Sequence, residues 1–341
     1  MKNNHLNDTC AAILGMLIDA RRNDADGGRT FLSGSDIGAE LGISRNAVCK
    51  SIHRLCDLGY AITSEQSHGY SLEKHADVIS AKYLETALGH KVPKITVLDS
   101  APSTNDCAKL VPFDELPALI VADEQTAGRG RSGRSFFSPG GMGIYMSYVF
   151  HPMFPVTDAM SITAGTAVAV RETLSELCGC DFGIKWVNDI YKGDRKVAGI
   201  LTEGISSIEE AGFERIIIGI GINCFSSPLP DDLKRIAGFL SDEDFPKFTR
   251  EEIIVSVTKK LEDLFRDKTS VDTSLFAARY RDHCITPGKH VLVSAPGRES
   301  FEADAVSVGD DFALVVKART GPDAGREISV CGGEASILPF F

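Results

Sequence analysis

Seven consecutive residues, Gly128-Arg129-Gly130-Arg131-Ser132-Gly133-Arg134, hold three arginines, three glycines and no acid. Glycine lets a backbone approach a ligand closely, and a planar guanidinium matches carboxylate and phosphate oxygens in two-point contacts. In a chain of net charge −11, such a loop is suited to an anion. A second cluster follows: Lys185-Trp186-Val187-Asn188-Asp189, then Asp194-Arg195-Lys196-Val197-Ala198-Gly199. Read as a strand, the first run puts Lys185, Val187 and Asp189 on one face. Lys196 brings a point charge to phosphate, and Asp189 serves a metal or holds that charge in place. Small Ala198 and Gly199 leave room for a ligand against the sheet. Taken singly, each residue is more often a surface ion pair, and a basic loop is often merely solvated; the combination favours an anion site.

Two common nucleotide motifs are excluded. Gly128, Gly130 and Gly133 have the G-x-G-x-x-G spacing behind an apolar run at 118–122. A dinucleotide fold opens a helix at that point, whereas this chain continues Ser135-Phe136-Phe137-Ser138-Pro139-Gly140-Gly141, a poor helix start. No G-x-x-x-x-G-K-[ST] occurs anywhere in the chain.

The elements that position these residues divide the 341-residue chain into three segments by their changing periodicity. Ala11, Ile13, Leu14, Leu17 and Ile18 recur at helical spacing, and a polar, glycine-rich stretch from Asn23 to Gly28 ends the pattern. Short amphipathic helices are expected at 35–41 and 44–58, and the unit ends near His75-Ala76. A connecting helix at 80–88 leads into a middle segment of mixed elements. Strands are expected there at 95–98, 118–122, 144–150, 197–202 and 216–222, with a long helix at 158–177. Thr249 and Glu252 form a capping box before Ile253, Ile254, Val257, Leu261 and Leu264. The last segment alternates apolar runs at 291–293, 301–306, 313–316 and 328–330 with turn residues, the pattern of a small β barrel or sandwich. The expected domains are therefore 1–76, 77–285 and 286–341, in an α+β chain.

Composition removes several classes of function. With 43% hydrophobic and 24% charged residues, the chain has ample material for a core. No apolar run reaches the ~18 residues of a membrane span, and the first twenty residues lack a signal-peptide pattern. Nine cysteines with no CxxC pair argue against a disulfide framework or zinc knuckle and for a reducing cytoplasm.

The segment Ser35-Asp36-Ile37-Gly38-Ala39-Glu40-Leu41-Gly42-Ile43-Ser44-Arg45-Asn46-Ala47-Val48 carries a helix-turn-helix pattern. Ser35 and Ser44 are expected to cap the two helices, Gly42 to turn the chain, and Ala39 to sit where the helices cross. Val48, Ile52 and Leu55 form the buried stripe of the second helix. Ser44, Arg45, Asn46, Lys50, Ser51 and Arg54 are left for phosphates and base edges, with His68-Gly69-Tyr70 as a wing. Residues 1–75 hold eight Lys/Arg and nine Asp/Glu, a balance that also suits a protein-interaction module. The basic residues gather on the second helix, which favours DNA.

Ser103-Thr104-Asn105, the 128–134 loop, Lys185–Asp189, Arg195–Leu201 and Gly219-Ile220-Gly221-Ile222-Asn223 stand in the order and spacing of biotin protein ligases. With the flanking units, the whole chain resembles the bifunctional biotin ligase and biotin operon repressor family. The resemblance implies a winged helix-turn-helix, a central mixed-sheet ligase domain, a C-terminal SH3-like β-barrel and a ligand-promoted homodimer. It further implies that ATP and biotin give biotinyl-5′-adenylate, and that biotin then passes to a lysine of the biotin carboxyl carrier protein. Operator DNA would be the second partner.

On this resemblance Ser103, Thr104, Asn105, Gln125, Gly128, Arg129, Arg131, Lys196 and Gly199 bind biotin. Arg131, Arg134, Phe136, Lys185, Asn188, Lys196 and Asn223 bind ATP or the adenylate. Lys196, Arg131 and Asp189 carry catalysis, with Asp189 assigned to Mg2+. Val187 stands where the family has proline, and Phe136 where tryptophan is frequent; the arginine that often follows Gly332-Gly333-Glu334 is absent. A lipoate-type ligase and a catalytically silent biotin-sensing repressor are the alternatives. Lipoate ligases show a longer glycine run with His-Asp beside it, and loss of catalysis does not fit the retained Lys196, Asp189 and loop arginines.

Overall fold

The computed structural model describes residues 8–22, 30–57, 60, 62–72, 79–153, 159–206, 213–242, 248–266, 270–295 and 297–338. Three N-terminal helices, α1 (Asp8–Arg22), α2 (Gly34–Leu41) and α3 (Arg45–Asp57), pack with a hairpin of β1 (Ile62–Glu65) and β2 (Gly69–Leu72). Ile13, Leu17, Ile37, Val48, Ile52, Leu55 and Leu72 form a core of their own, as the expected helical stripes require. Two details differ from expectation. The cap of α2 is Ser33, which accepts from the Asp36 amide at 3.1 Å, while Ser35 lies inside the helix. The close crossing is made by Gly38, where a Cβ would stand 2.7 Å from the Ile43 carbonyl oxygen; Ala39 is exposed. One step along a helix turns a side chain by about 100°, so a one-residue misplacement moves it out of the interface. Gly42 ends α2 at φ +65, as its place in the turn demands. The Asn23–Gly28 stretch, the His75-Ala76 junction and Asp158 lie outside the described residues.

Helix α4 (Ala81–Leu88), capped by Ser80, leads to β3 (Lys94–Ala101), α5 (Thr104–Lys109), β4 (Ala118–Gln125), β5 (Gly143–Phe150), α6 (Ala159–Cys178), β6 (Gly183–Lys185), β7 (Asp189–Lys192), β8 (Arg195–Ser206), β9 (Phe213–Asn223), α7 (Arg250–Phe265) and α8 (Ala277–His283). The strands form one sheet in the order β3-β4-β5-β9-β8-β7-β6, with only β3 and β4 parallel. Ile144, Met146, Ala198, Ile200, Ile220 and Ile222 are buried in the core shared with α6 and α7. The capping box of α7 is present in both directions.

The run Lys185–Asp189 is not one strand. It is the turn of a hairpin, with Lys185 directly opposite Asp189 and a cis bond at Trp186–Val187. Both charged residues still share a face, because directly paired residues point the same way. The C-terminal strands β10 (His290–Ser294), β11 (Phe301–Val308), β12 (Leu314–Ala318), β13 (Glu327–Val330) and β14 (Glu334–Ile337) make an antiparallel sheet ordered β13-β12-β11-β10-β14. The strands β13 and β14 stand at opposite ends of that order, so strand pairing among the described residues gives a five-stranded antiparallel sheet without closing it into a ring.

Candidate functional site

Strand pairing builds the floor of the site. Lys185, Asp189, Gly199, Gly221 and Tyr145 are successive cross-strand partners over β6, β7, β8, β9 and β5. One row on, Leu201, Gly219 and Ser147 are partners. With period two along each strand, all of these residues share a face. The three glycines keep it clear: a Cβ on Gly219 would stand 2.2 Å from Asn105 Oδ1, and one on Gly221 would stand 2.6 Å from the Phe136 ring. At Gly199 the cleared space is taken by the chain's own Lys196, whose Nζ would be 3.1 Å from a Cβ. Ala198 belongs to the opposite, fully buried face and leaves no room for a ligand.

Above this floor lies a cavity of about 580 Å³. Its polar end is Thr104, Asn105 and Gln125. The Gln125 Oε1 accepts from the Thr104 amide at 2.9 Å and from its hydroxyl at 3.2 Å, while Nε2 donates to Ser138 Oγ at 3.0 Å. Ser147 donates to Asn105 Oδ1 at 2.6 Å, and Asn105 Nδ2 donates to Glu203 at 2.6 Å. This part of the wall is therefore pre-organised by its own bonds. Ser103 is 2% exposed, and Gly128 is packed against Ser138 and the Phe136 carbonyl. Neither faces the cavity; they shape the segments that do.

The loop between β4 and β5 brings its arginines to three different anchors. Arg129 pairs with Asp106 at 2.6 Å and Glu203 at 3.3 Å. Arg131 donates to Asn188 Oδ1 at 3.0 Å and to the Gly333 carbonyl at 2.8 Å. Arg134 pairs with Glu334 at 2.7 Å. Ser132 and Gly133 turn the loop with φ of 55 and 74, and Phe136 lies edge-on to Tyr145 at 6.4 Å.

Opposite the loop, Lys196 Nζ stands 2.7 Å from Asp189 Oδ1. That carboxylate oxygen has no aligned hydrogen-bond donor, so the contact is an ion pair held by distance. Lys185 is 9% exposed, with its Nζ 5.9 Å from the Tyr191 ring centroid. Burial pushes its ammonium below the ordinary lysine range; Asp189 and Glu334 oppose the shift, while Lys196 and Arg134 add to it. Burial, then Asp189 and Glu334, pushes the Tyr191 phenol up to about 12. Asn188 Nδ2 donates to the Ile200 carbonyl at 2.8 Å, and Asn223 Nδ2 donates to the Gly238 carbonyl at 3.1 Å. Both line the cavity.

Sequence reasoning missed three parts. Glu203 ties Asn105, Lys109 and Arg129 together. Leu229, Leu233, Ile236 and Ala237 supply an apolar wall, and Glu334 closes the site from the C-terminal sheet. Only Glu334 carried a signal, in its Gly332-Gly333-Glu334 turn. Among the described residues, no three of His, Cys, Asp and Glu gather into a metal-ligand set. Asp189 is already paired with Lys196, so the site has no protein-built Mg2+ cage.

The chemistry on offer is a polar recess joined to a cationic one, under a loop of arginines. The Biotin/lipoate A/B protein ligase family matches residues 97–223, and an HTH domain matches 27–71. The chain is 32% identical over 300 residues to the bifunctional ligase/repressor BirA of Bacillus subtilis, spanning 86% of this chain and 91% of that one. It is 36% identical over 196 residues to the bifunctional ligase/repressor BirA of Escherichia coli, spanning 57% of this chain and 59% of that one. Among solved structures it resembles the biotin protein ligase from Aquifex aeolicus in complex with biotin and ATP. The TM-score is 0.58 at 25% identity, over 72% of this chain and 98% of that one. Sequence order, site geometry and these likenesses agree: the chain belongs to the bifunctional ligase/repressor family of biotin protein ligases.

Proposed function

We propose that the chain joins biotin to ATP as biotinyl-5′-adenylate, releasing pyrophosphate, and then transfers biotin to a lysine of the biotin carboxyl carrier protein. The observation that carries this reading is the convergence of Arg131, Arg134, Lys185 and Lys196 on one cavity, beside the polar recess of Thr104, Asn105 and Gln125. A carboxylate attacking an α-phosphate brings anions together, and fixed cations offset the charge that develops. The recess takes the biotin ring, and Phe136 with the apolar wall takes the base. Arg129 holds the loop near biotin, and Asn188 and Asn223 complete the nucleotide end. Asp189 fixes Lys196 in place. Mg2+ carried in by the nucleotide would supply further neutralisation of the phosphates, and Asp189 is the residue that would meet it. Loop closure keeps water from the mixed anhydride.

The repressor half of the reading rests on α3 and the residue before it, where Ser44, Arg45, Asn46, Lys50 and Arg54 are exposed on the face away from the core. Ser51, expected on that face, is buried because its position packs against the first helix, where its carbonyl accepts from the Cys10 thiol. The domain limits 1–76, 77–285 and 286–341, an SH3-like C-terminal unit, a homodimer and a cytoplasmic location belong to the same proposal. Pyrophosphate release with ATP and biotin, compared with lipoate, tests the chemistry. Mass spectrometry of a carrier domain after the reaction tests the transfer. Release with lipoate and none with biotin would reject the biotin assignment.

A further inference from the structure

A second cavity of about 160 Å³ abuts the first and shares Arg131, Ile200 and Leu201 with it. Its own wall comes from Met160 and Thr163 on α6, Thr202 on β8, and Gly332. The Thr163 and Thr202 hydroxyls meet at 2.9 Å. The Arg131 guanidinium, fixed by Asn188 and the Gly333 carbonyl, belongs to the walls of both spaces. Among the described residues, no carboxylate lines the smaller one. It is too small for biotin or a nucleotide, and it adjoins the part of the site where Arg131 is held by Asn188.

We propose that this cavity receives the side chain of the acceptor lysine during the transfer half of the reaction, an assignment that rests on the ligase reading above. A lysine stem is four methylenes ending in an amine, which suits a narrow, largely apolar passage. The amine must be neutral to attack. A narrow passage beside the fixed Arg131 cation disfavours an ammonium by desolvation and like-charge repulsion, so the lysine sheds one proton to water at the mouth. The nitrogen then attacks the carbonyl carbon of the mixed anhydride. A C–N bond forms, the C–O bond to phosphate breaks, and AMP leaves with the bonding pair. The departing phosphate takes the proton that the nitrogen sheds as the amide forms. Arg131, common to both walls, stands beside the point where the amine meets the mixed anhydride, and Met160, Thr163 and Thr202 set which amines reach it.

Filling the cavity without touching the adenylation residues tests this. Thr202→Phe and, independently, Met160→Trp are compared with the parent chain in two assays. Hydroxylamine, a small neutral nucleophile, reports adenylate formation through biotin- and ATP-dependent pyrophosphate release. A purified carrier domain reports transfer. The expected result is hydroxylamine-supported turnover within about twofold of the parent and a transfer rate reduced about 100-fold, the size of effect that a misplaced reactant produces. Thr202→Ser, which leaves the space open, should behave like the parent in both assays. Unchanged carrier labelling in a folded filled variant overturns the proposal, as does an equal loss in both assays, which would make the cavity part of the adenylation site. Should one variant fail to fold, the other decides. A parent chain that releases no pyrophosphate with biotin and ATP would instead overturn the ligase reading.

Discussion

Lys196 shows how much one side chain depends on its neighbours. Its ammonium occupies the space that Gly199 leaves open and is held 2.7 Å from Asp189. Lys196→Ala removes a fixed cation at the point where charge develops, and should lower biotin-dependent pyrophosphate release by about 100-fold. The residue is partly exposed, so the circular dichroism spectrum and melting transition should stay near those of the parent. Normal release would reject the role. Arg131→Gly would open the bridge between Asn188 and Gly333 while leaving Lys196 and Lys185 in place. Reduced but measurable adenylation is expected, with activated biotin escaping to bystander lysines. Blotting a protein mixture for biotin reads this, and strict carrier specificity would count against it.

Lys185 carries a pH prediction. Burial lowers its native pKa, so between that value and the ordinary lysine range the unfolded chain holds a proton that the native chain has shed. Stability contributed at this residue rises with pH through that window, and below it the native state bears the whole burden of a buried charge. Lys185→Met should therefore raise the urea midpoint at neutral pH and flatten its alkaline rise, while weakening ATP binding. An unchanged midpoint at neutral pH would show that solvent reaches the ammonium more freely than its 9% exposure implies.

At the scale of elements, the helix caps and the glycines do different work. Thr249 and Glu252 satisfy each other's backbone donors at the start of α7, outside the cavity lining. Thr249→Ala should cost about 1 kcal/mol, seen as a lower urea midpoint with unchanged turnover per folded molecule. A change in turnover would mean that α7 reaches the site. The glycines of β8 and β9 act the other way, giving up packing on one face of the sheet so that Asn105, Phe136 and Lys196 fit over it. Their motif was visible in the sequence. Their reason was not, because it depends on which strands become neighbours.

For the whole molecule, the decisive expectation is coupling between the two ends. The 1–75 segment has nearly balanced charge, so it gains little from non-specific phosphate attraction, and the proposed dimer would offset this by placing two copies on one operator. If the adenylate favours the dimer, linkage requires that it also tighten operator binding. Operator titrations at fixed salt, with and without biotin and ATP, should give a lower midpoint in the presence of both. Equal midpoints would refute the coupling. Removing residues 1–76 should abolish DNA binding and leave pyrophosphate release in place.

The sequence by itself determined the kind of chemistry and most of the elements, because both are written locally. An arginine-glycine loop, a lysine beside small residues, a capping box and apolar runs of period two or near four are properties of neighbouring residues. The capping box and the apolar runs became the expected elements, whereas the small residues beside Lys196 left no free room for a ligand. The tertiary structure decided where the charges meet. Lys185 and Asp189 lie opposite each other because the chain reverses between them, not because they share a strand. Ala198 turned inward, and Gly38, rather than Ala39, took the helix crossing. Glu203 and Glu334, distant in sequence, became the anchors for Arg129 and Arg134. Contacts between residues far apart in the chain depend on strand order and register, and a single residue's shift in register exchanges buried and exposed faces. Local patterns carry no record of that choice, so the clasp on the loop and the second cavity beside Arg131 exist only in the folded chain.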